Sequence, residues 1–312
     1  MKKLVLTIIT LLTCSVMIIG QTISVLETHN VTSKNEGEFY YPKFSPDGSK
    51  IFFTHANYKG IYYLSLENNT LVKLNNEDGA GYEFNVSQNN IVYYRTDHYV
   101  NGRKYSSLKS MDVNTKAVQL IASDKRFLST PKSLNNNIIA YTINNRIQRF
   151  IPKSANNKVE VSSIEKPYVE IEKSKLALIE SGTKKIITPV GKGNYIWPSI
   201  SPDNSKLLFT VAGKGTYVSD LNGNILADLG YANYPKWSPD GKWISYMVDK
   251  DNGLTVTESD IYITSANGEK KFRVTNTENV YEMYPDWSPS GDQLVLNTYD
   301  GKIILIKLKI EN

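Results

Sequence analysis

Short alternating runs of apolar and polar residues, separated by tight-turn residues, make up the chain beyond residue 20. One unit opens with the aromatic-proline pair Tyr234-Pro235, continues to the turn Ser238-Pro239-Asp240-Gly241, and leaves it through Trp243-Ile244-Ser245-Tyr246. Proline, aspartate and glycine suit successive positions of a reverse turn, and aromatic and β-branched residues favour strands. The unit therefore predicts a β-hairpin.

The same unit recurs along the chain. Clear copies begin at Tyr41, Trp197 and Tyr284, and two further copies, from Tyr82 and Ser129, have Asn-rich turns in place of Pro-Asp-Gly. Asparagine tolerates left-handed backbone angles better than most residues, so a turn is expected in these copies too. Units repeated roughly every 40 to 50 residues, each with several short strands, predict a β-propeller.

These units resemble the Pro-x-Trp-Ser-Pro-Asp-Gly repeats of the TolB-like family of WD40-like, six-bladed propellers. The resemblance extends from about Thr22 to the C-terminus and is strongest from Tyr195 to Leu308. It implies an all-β fold with six blades. The stretch from Ile138 to Pro189 lacks a Ser-Pro-Asp-Gly turn and is long for one blade but short for two, so a seventh blade stays open.

The two ends of the repeat region complement each other. Thr22 to Asn30 alternates like a strand but has no blade of its own, and the last unit is one strand short of four. Joining the ends in one blade would remove two exposed sheet edges. We therefore expect the N-terminal strand to be the outermost strand of the last blade.

The first residues predict export. Met1-Lys2-Lys3 is basic, Leu4 to Ile19 is mostly apolar, and Gly20 precedes a polar segment, which is typical of a signal peptide over residues 1–20 before a propeller over residues 21–312. The apolar run is short for a bilayer span of about 20 residues, so no transmembrane segment is expected in the mature chain. A periplasmic or secreted protein follows; lipid attachment through Cys14 is a less favoured alternative, because Thr13 fits a lipoprotein cleavage site poorly.

Composition and motifs argue against nucleic-acid binding and against most enzymes. The net charge of +5 is not clustered in a basic block. The sequence has no Gly-x-Ser-x-Gly, His-Glu-x-x-His, phosphate-loop or dinucleotide-binding motif. Propeller lyases acting on pectin fragments are the enzymes that the chain resembles, and they hold a metal largely through histidines. The three histidines here, His29, His55 and His98, all lie in the first third, so a non-catalytic role is favoured.

Aromatic residues at equivalent places in the repeats are the main candidates for ligand binding. We predict that these residues encircle one mouth of the central channel, because equivalent positions in a propeller are related by rotation about its axis. Glu83 and Glu282 would supply hydrogen-bond acceptors at the rim, and the rings would suit a peptide or a sugar. The alternative is that the rings cap the core between blades. The predicted aromatic residues are Tyr41, Tyr82, Trp197, Tyr234 and Tyr284.

A second candidate is a calcium site. Asp249 and Asp251 precede Gly253, and Glu258 follows, which resembles the start of a calcium-binding loop; a solvated acidic hairpin is the alternative. No other cofactor is expected. The repeated Asp47, Asp203 and Asp240 of the turns are expected to satisfy backbone donors and to have no functional role.

The favoured function is an exported, non-catalytic, monomeric propeller that binds a protein or another macromolecule in the bacterial cell envelope through one mouth of its channel. The TolB resemblance implies this role, although nothing before the first hairpin resembles TolB's N-terminal α/β domain. A carbohydrate-binding or oligosaccharide-lyase-like propeller is the alternative. Convergence of carboxylates and histidine beneath the aromatic residues would favour the enzyme.

Overall fold

The computed structural model describes residues 22–33, 35–135, 138–152 and 166–311. The predicted signal peptide, residues 1–20 with Cys14, lies outside these ranges, as does the apolar run Val159 to Ile164. The described residues form β-strands and one 3-10 turn, Ala56–Tyr58. No helix in the described ranges is long and apolar enough to cross a bilayer.

The strands form seven separate antiparallel sheets within the described residues, which we number as blades in chain order. Blade 1 contains β2 (Tyr40–Phe44), β3 (Lys50–His55), β4 (Lys59–Ser65) and β5 (Thr70–Asn75). Blade 2 contains β6 (Asn85–Val86), β7 (Ile91–Val100), β8 (Arg103–Asp112) and β9 (Val118–Lys125). Blade 3 contains β10 (Lys132–Asn135), β11 (Ile138–Ile143) and β12 (Arg146–Phe150). Blade 4 contains β13 (Tyr168–Glu172), β14 (Lys175–Glu180) and β15 (Thr183–Ile187).

The remaining blades have four strands each. Blade 5 contains β16 (Tyr195–Ile200), β17 (Lys206–Val211), β18 (Gly215–Asp220) and β19 (Ile225–Gly230). Blade 6 contains β20 (Asn233–Trp237), β21 (Trp243–Asp251), β22 (Val256–Ser265) and β23 (Lys271–Arg273). Blade 7 contains β24 (Glu282–Trp287), β25 (Gln293–Thr298), β26 (Ile303–Glu311) and β1 (Thr22–Asn30).

The prediction of a propeller is confirmed, and the preference for six blades is wrong. The stretch from Ile138 to Pro189 contributes to two blades, not one, because its strands are short and blade 4 reverses through Lys173 and Ser174. Both turn residues have left-handed φ, of 49° and 62°. No Ser-Pro-Asp-Gly turn marks this blade, so the repeat pattern undercounts it.

The predicted closure of the ring is confirmed. Strand β1 pairs antiparallel with β26 from Thr22 opposite Glu311 to Asn30 opposite Ile304, with one bulge. It is the outermost strand of blade 7, where it covers the edge that β26 would otherwise expose. The first and last strands of the chain therefore hold the propeller closed.

The hydrophobic core is divided among the interfaces between blades. Seven clusters of buried side chains occur in the described residues, and each joins two neighbouring blades. Trp243 and Trp287, for example, are buried together between blades 6 and 7. One face of each sheet thus packs on the next sheet around the ring, the arrangement that a propeller needs.

The repeated turns satisfy their own backbone donors, as predicted. In blade 6 the Ser238 hydroxyl accepts from the Trp243 N–H at 3.0 Å and donates to Asp240, which accepts from the Lys242 N–H at 3.0 Å. Asp47 and Asp203 accept in the same way from the residue two positions on. These aspartates have a structural role in the turns, because each accepts a hydrogen bond from a backbone N–H that would otherwise need water.

Candidate functional site

Four aromatic residues that precede a proline share an unusual backbone. Each lies at a β-bulge where the innermost strand shifts register against its neighbour. Left-handed φ is uncommon for residues other than glycine and costs about 1–2 kcal/mol. The same strained position in four blades carries an aromatic side chain to one end of the channel, which we call the aromatic end. The residues and their φ values are Tyr41 (54°), Trp197 (51°), Tyr234 (51°) and Tyr284 (57°).

The rings of these residues contact one another at the aromatic end. Ring centroids are 4.3 Å apart for Tyr41 and Tyr284, 5.0 Å for Tyr234 and Tyr284, and 6.0 Å for Trp197 and Tyr234. Tyr58, from the turn between β3 and β4, stacks on Tyr41 at 4.8 Å. The rings therefore lie across the axis at the aromatic end.

Blade 2 also contributes an aromatic residue, but from one position earlier in the chain. Glu83, with φ of 47°, occupies the strained position, and Tyr82 precedes it. The Tyr82 ring meets the edge of Tyr58 at 4.9 Å. Gly81 makes this possible, because a Cβ atom there would lie 2.0 Å from Thr54 Oγ1. We call the resulting set the aromatic cluster; it consists of Tyr41, Tyr58, Tyr82, Trp197, Tyr234 and Tyr284. These residues are half-buried, except for Tyr82, which is exposed.

Charged and polar side chains lie beneath the aromatic cluster, two positions further along the innermost strands. The residue after the proline, or its equivalent, supplies them. Asp286 accepts from the Phe44 N–H at 3.1 Å, and Lys43 donates to the Phe84 carbonyl at 2.7 Å. We call the set the channel ring; in order around the axis it is Ser199, Lys236, Asp286, Lys43, Asn85 and Lys132.

One carboxylate of this region, Glu83, has two hydrogen-bond partners on blade 3. Glu83 accepts from the Thr130 hydroxyl at 2.7 Å and from the Lys132 ammonium at 3.0 Å. Burial alone would raise the pKa of Glu83, but Lys132 and Thr130 bring it to about 2. Glu83 is therefore the ion-pair partner of Lys132 and follows Tyr82 of the aromatic cluster in the chain.

The remaining charges of the channel ring are less well compensated. Burial, and then the nearby Lys236 ammonium, lower the pKa of Lys43 to about 8. Burial would also lower the pKa of Lys236, but Tyr234, Asp286 and Glu83 raise it overall. Burial raises the pKa of Asp286 against the effect of both lysines. Both lysines are thus cations at neutral pH, and burial opposes the ionisation of Asp286.

Glu282 does not lie at the rim. It is 2% exposed and packs toward blade 6, where the Ser259 hydroxyl donates to its carbonyl at 2.6 Å. Burial is the largest of the effects that raise the pKa of its carboxyl to about 6. Its Oε2 is buried without a hydrogen-bond partner. The structure therefore separates Glu282 from Glu83 and from the aromatic cluster.

Two long hairpins rise beside the aromatic cluster. The pairing of β7 with β8 continues to Val100 opposite Arg103, and that of β21 with β22 continues to Asp251 opposite Val256. Strand β3 of blade 1 has 6 residues, whereas β7 has 10 and β21 has 9, so the two hairpins are longer by about 10 Å or slightly more at about 3.3 Å per residue. The β7–β8 hairpin carries Arg95, whose guanidinium lies 5.6 Å from the centroid of the Tyr82 ring.

The hairpins differ in charge. The β7–β8 hairpin and the adjoining segment carry an excess of basic side chains: Arg95, Arg103, Lys104, Lys125 and Arg126, against Asp97 and Asp124. Exposed aromatic residues, Tyr99 and Phe127, accompany them. The β21–β22 hairpin carries Asp249, Asp251 and Glu258 against Lys250. The aromatic cluster therefore lies between a basic and an acidic wall.

The three residues of the predicted calcium site do not converge. Glu258 lies opposite Lys250 in the sheet and pairs with it at 2.6 Å. Asp249 and Asp251, one position to either side of Lys250, face the other side of the strand. Asp249 accepts from the Asn233 amide at 2.7 Å, and Asp251 accepts from the Gly253 N–H at 2.8 Å. No group of three or more metal-ligating side chains occurs in the described ranges.

The histidines lie away from the aromatic cluster. His29 is on the outermost strand of blade 7 beside Glu27, and His98 is on the β7–β8 hairpin, 3.4 Å from Asp124. His55 stacks on Phe39 and contacts the Glu38 carbonyl at 2.7 Å. The histidines therefore cannot combine with Asp286 and Glu83 in one site.

Sequence reasoning missed Tyr58 and the lysines and aspartate of the channel ring. Tyr58 lies outside the repeat unit, so no periodic signal marks it. Lys43, Lys236 and Asp286 do follow the repeated proline, and this shared position could have identified them. Their charges differ between blades, which hides the common position.

Comparison with known proteins gives one relative by sequence. An uncharacterized protein of Agrobacterium fabrum is 29% identical over 150 residues, which cover 43% of this chain and 46% of that protein. The match thus spans less than half the length of that relative. No protein-family model matches the sequence.

Solved structures share the fold at low sequence identity. The Cps50 (Swd1) β-propeller domain of Myceliophteria thermophila matches with a TM-score of 0.61 at 11% identity, covering 92% of this chain and 99% of that one. An oligogalacturonate lyase in complex with manganese matches with a TM-score of 0.52 at 14% identity, covering 93% and 97%. TolB from Acinetobacter baumannii matches with a TM-score of 0.50 at 16% identity, covering 80% of this chain and 57% of that one. These likenesses establish the propeller fold.

Proposed function

We propose that the protein is an exported, non-catalytic propeller that binds a segment of another protein across the aromatic cluster. One observation carries this proposal: six rings, five of them on strained left-handed backbone, gather at the axis between two hairpins of opposite charge. Backbone strain repeated at one surface is typical of a functional site, because packing alone does not require it. The TolB-like architecture supports a place in the bacterial envelope.

The walls favour a macromolecular ligand. They rise about 10 Å above blade 1 on two sides of the aromatic cluster, given 3.3 Å per residue. A polypeptide segment can contact both walls and the rings at once, whereas a monosaccharide would reach only the rings. Tyrosine and tryptophan are also the residues that contribute most often to the energy of protein interfaces.

Carbohydrate lyase chemistry has less support. The histidines lie elsewhere, and the two carboxylates near the channel, Asp286 and Glu83, have lysine neighbours. A metal-assisted elimination would need several oxygen or nitrogen ligands converging on one point.

Photocrosslinking tests the proposed surface. A photoreactive phenylalanine analogue at Tyr82, on the exposed edge of the aromatic cluster, should crosslink to a protein in envelope extract. The same analogue at Leu226, which is 52% exposed on the outermost strand of blade 5, is the matched control. The Tyr234→Ala/Tyr284→Ala double substitution should remove the Tyr82 crosslink. Equal crosslinking from both positions, or no effect of the double substitution, contradicts the proposal.

Export is a separate part of the proposal. Fusing residues 1–40 to alkaline phosphatase, which is active only after export from the cytoplasm, should give activity in a bacterial host. Replacing Leu11 and Leu12 with arginine should abolish it, since an interrupted apolar run no longer serves as a signal sequence. Activity that survives this change would contradict a signal peptide.

A further inference from the structure

Two ammonium groups of the channel ring have no carboxylate partner in direct contact. In the described part of the chain, the ion pairs closer than 4.0 Å include Lys132 with Glu83 but none of Lys43 or Lys236. Lys43 instead donates to the Phe84 carbonyl at 2.7 Å and lies 4.4 Å from the centroid of the Phe84 ring. Lys236 lies 4.6 Å from the centroid of the Tyr234 ring. Aromatic faces stabilise a cation less than an ion pair does, so positive charge is left over at this place.

The neighbouring polar groups add unused hydrogen-bonding capacity. Ser199, beside Lys236 in the channel ring, has a buried hydroxyl oxygen with no partner. The unpartnered atom of Asn85, beside Lys43, is its amide oxygen, which accepts hydrogen bonds and therefore contributes nothing to the binding of an anion. Buried polar atoms without partners are rare in folded proteins, and each calls for an explanation such as a bound water or ion.

Asp286 is the one carboxylate of the channel ring, and burial disfavours its charged form. Asp286 uses one oxygen to accept from the Phe44 N–H, and burial raises its pKa. The two lysines and Asp286 together therefore carry a net positive charge. The Glu83–Lys132 pair next to them is neutral and does not change this balance.

We propose that the channel ring binds a carboxylate or a similar small oxyanion at Lys43 and Lys236, beside Asp286 and beneath the aromatic cluster. The donors are the two ammonium groups and the Ser199 hydroxyl. Two sources have this chemistry: a free small anion, and a carboxylate on the segment bound across the aromatic cluster. The second source rests on the proposed function, whereas binding of a free anion does not.

The low pKa of Lys43 agrees with this arrangement. Its pKa of about 8 means that the free protein tends to lose this proton as pH rises through 8. A bound anion favours the protonated form, so proton and anion bind together. Anion affinity is therefore expected to fall as pH rises above about 8, and this dependence is expected to be weaker in Lys43→Met.

The experiment uses inorganic phosphate and acetate as probes, followed by NMR at constant ionic strength. We expect shifts of the Phe44 and Asn85 amide signals on titration of the wild type. Lys43→Met and Lys236→Met should each weaken binding at least tenfold, which corresponds to about 1.4 kcal/mol. Lys242→Met, in an exposed turn of blade 6, is the matched control and should bind as the wild type does.

A gain of affinity separates the proposal from simple damage to the fold. Asp286→Asn keeps an acceptor for the Phe44 N–H but removes the competing negative charge, so it should bind the same probes several-fold more tightly. Unchanged or weaker binding by Asp286→Asn, or equal binding by Lys236→Met and the wild type, overturns the anion site.

A last arm distinguishes the sources of the anion. Short peptides with a free C-terminal carboxylate, with an internal glutamate and an amidated end, and with neither group should be compared as competitors of phosphate. Competition by either of the first two assigns the carboxylate to a bound segment and identifies its position. If none of the peptides competes and phosphate still binds, the ligand is a free anion. That result counts against the proposed protein-binding surface.

Discussion

At the residue scale, the aromatic cluster is a set of side chains held on unfavourable backbone. Asn297 of blade 7, fully buried, accepts from the Tyr41 N–H at 3.0 Å and so holds one of the strained residues in place. Left-handed φ is tolerated by asparagine but is a severe strain for a β-branched residue. Asparagine and valine at one of these positions both remove the ring but differ in backbone strain. The difference in stability between the two variants therefore measures the strain.

We predict that Tyr284→Asn is more stable than Tyr284→Val by about 1–2 kcal/mol, because both lose the ring but only valine is strained at φ of 57°. Urea unfolding of the two variants measures the difference. Tyr99, 69% exposed in β7, is the control position, since extended backbone there should favour valine. If the asparagine and valine variants have the same order of unfolding free energy at both positions, the result argues against strain at Tyr284.

Glu282 gives a prediction about pH. Its pKa of about 6 lies above its ordinary value of 4.5, so the folded protein binds more protons than the unfolded chain between these values. Stability is then lost as pH rises from about 4.5 to 6, and the full cost remains at neutral pH. Glu282→Gln removes the ionised form. It should raise the unfolding free energy at pH 7 by up to about 2 kcal/mol, since one pKa unit corresponds to 1.36 kcal/mol.

The measurement is urea unfolding of the wild type and Glu282→Gln at several pH values. The advantage of the variant should disappear near pH 4, where the native carboxyl is already protonated. An advantage that stays the same at pH 4 and pH 7 would show that protonation of Glu282 is not its cause.

At the element scale, the two long hairpins differ from the rest of the blades in having few buried contacts at their tips. The β7–β8 hairpin ends in Asn101-Gly102, with φ of 50° and 71°, the backbone that a two-residue hairpin turn requires. The residues before the turn, Tyr99 and Val100, are exposed. The tip of this hairpin is thus available for contacts outside the chain.

We predict that a shortened hairpin separates binding from stability. Deleting the two paired positions, Tyr99 with Lys104 and Val100 with Arg103, keeps the Asn101-Gly102 turn. The unfolding free energy should change by less than about 1 kcal/mol, because exposed residues contribute little, although Lys104 gives up its ion pair with Asp97. Crosslinking from Tyr82 should fall. Crosslinking that is unchanged in a folded deletion variant would show that the basic wall does not contact the partner.

At the scale of the whole molecule, the propeller is held closed by the pairing of β1 with β26. Each interface between blades has its own small core, so the ring is only as stable as its closure. The anion site and the aromatic cluster depend on this closure as well, because both combine residues from blades 7 and 1. Loss of β1 would expose the edge of β26.

We predict that a disulfide across the closure stabilises the molecule. Ser24 and Lys309 face each other in β1 and β26, and antiparallel partners of this kind have Cα separations compatible with a disulfide. Cross-linking a loop this long should raise stability by up to about 5 kcal/mol through the entropy of the unfolded chain. Thermal unfolding of the Ser24→Cys/Lys309→Cys variant, oxidised and reduced, measures the effect. A lower melting temperature in the oxidised form would contradict the register of the closure.

The sequence alone predicted the class of fold, the closure and the role of the turns, because each depends on local residue preferences repeated along the chain. It undercounted the blades, since blade 4 forms from short strands through Lys173 and Ser174 without the repeated turn. More than one turn sequence can connect two paired strands, so the absence of the repeated turn does not mean that a blade is absent.

Only the tertiary structure decided what the repeated aromatic residues do. Periodicity placed Tyr41, Trp197, Tyr234 and Tyr284 at equivalent positions, but whether their rings surround the axis or meet across it depends on the radius of the closed ring. The separation of Glu282 from Glu83, and of Glu258 from Asp249, also follows from the direction in which each side chain leaves its strand. Polar and charged side chains from six blades meet at the axis because closure brings together residues that are distant in the chain. Their differing charges hide the position after the proline that Lys43, Lys236 and Asp286 share.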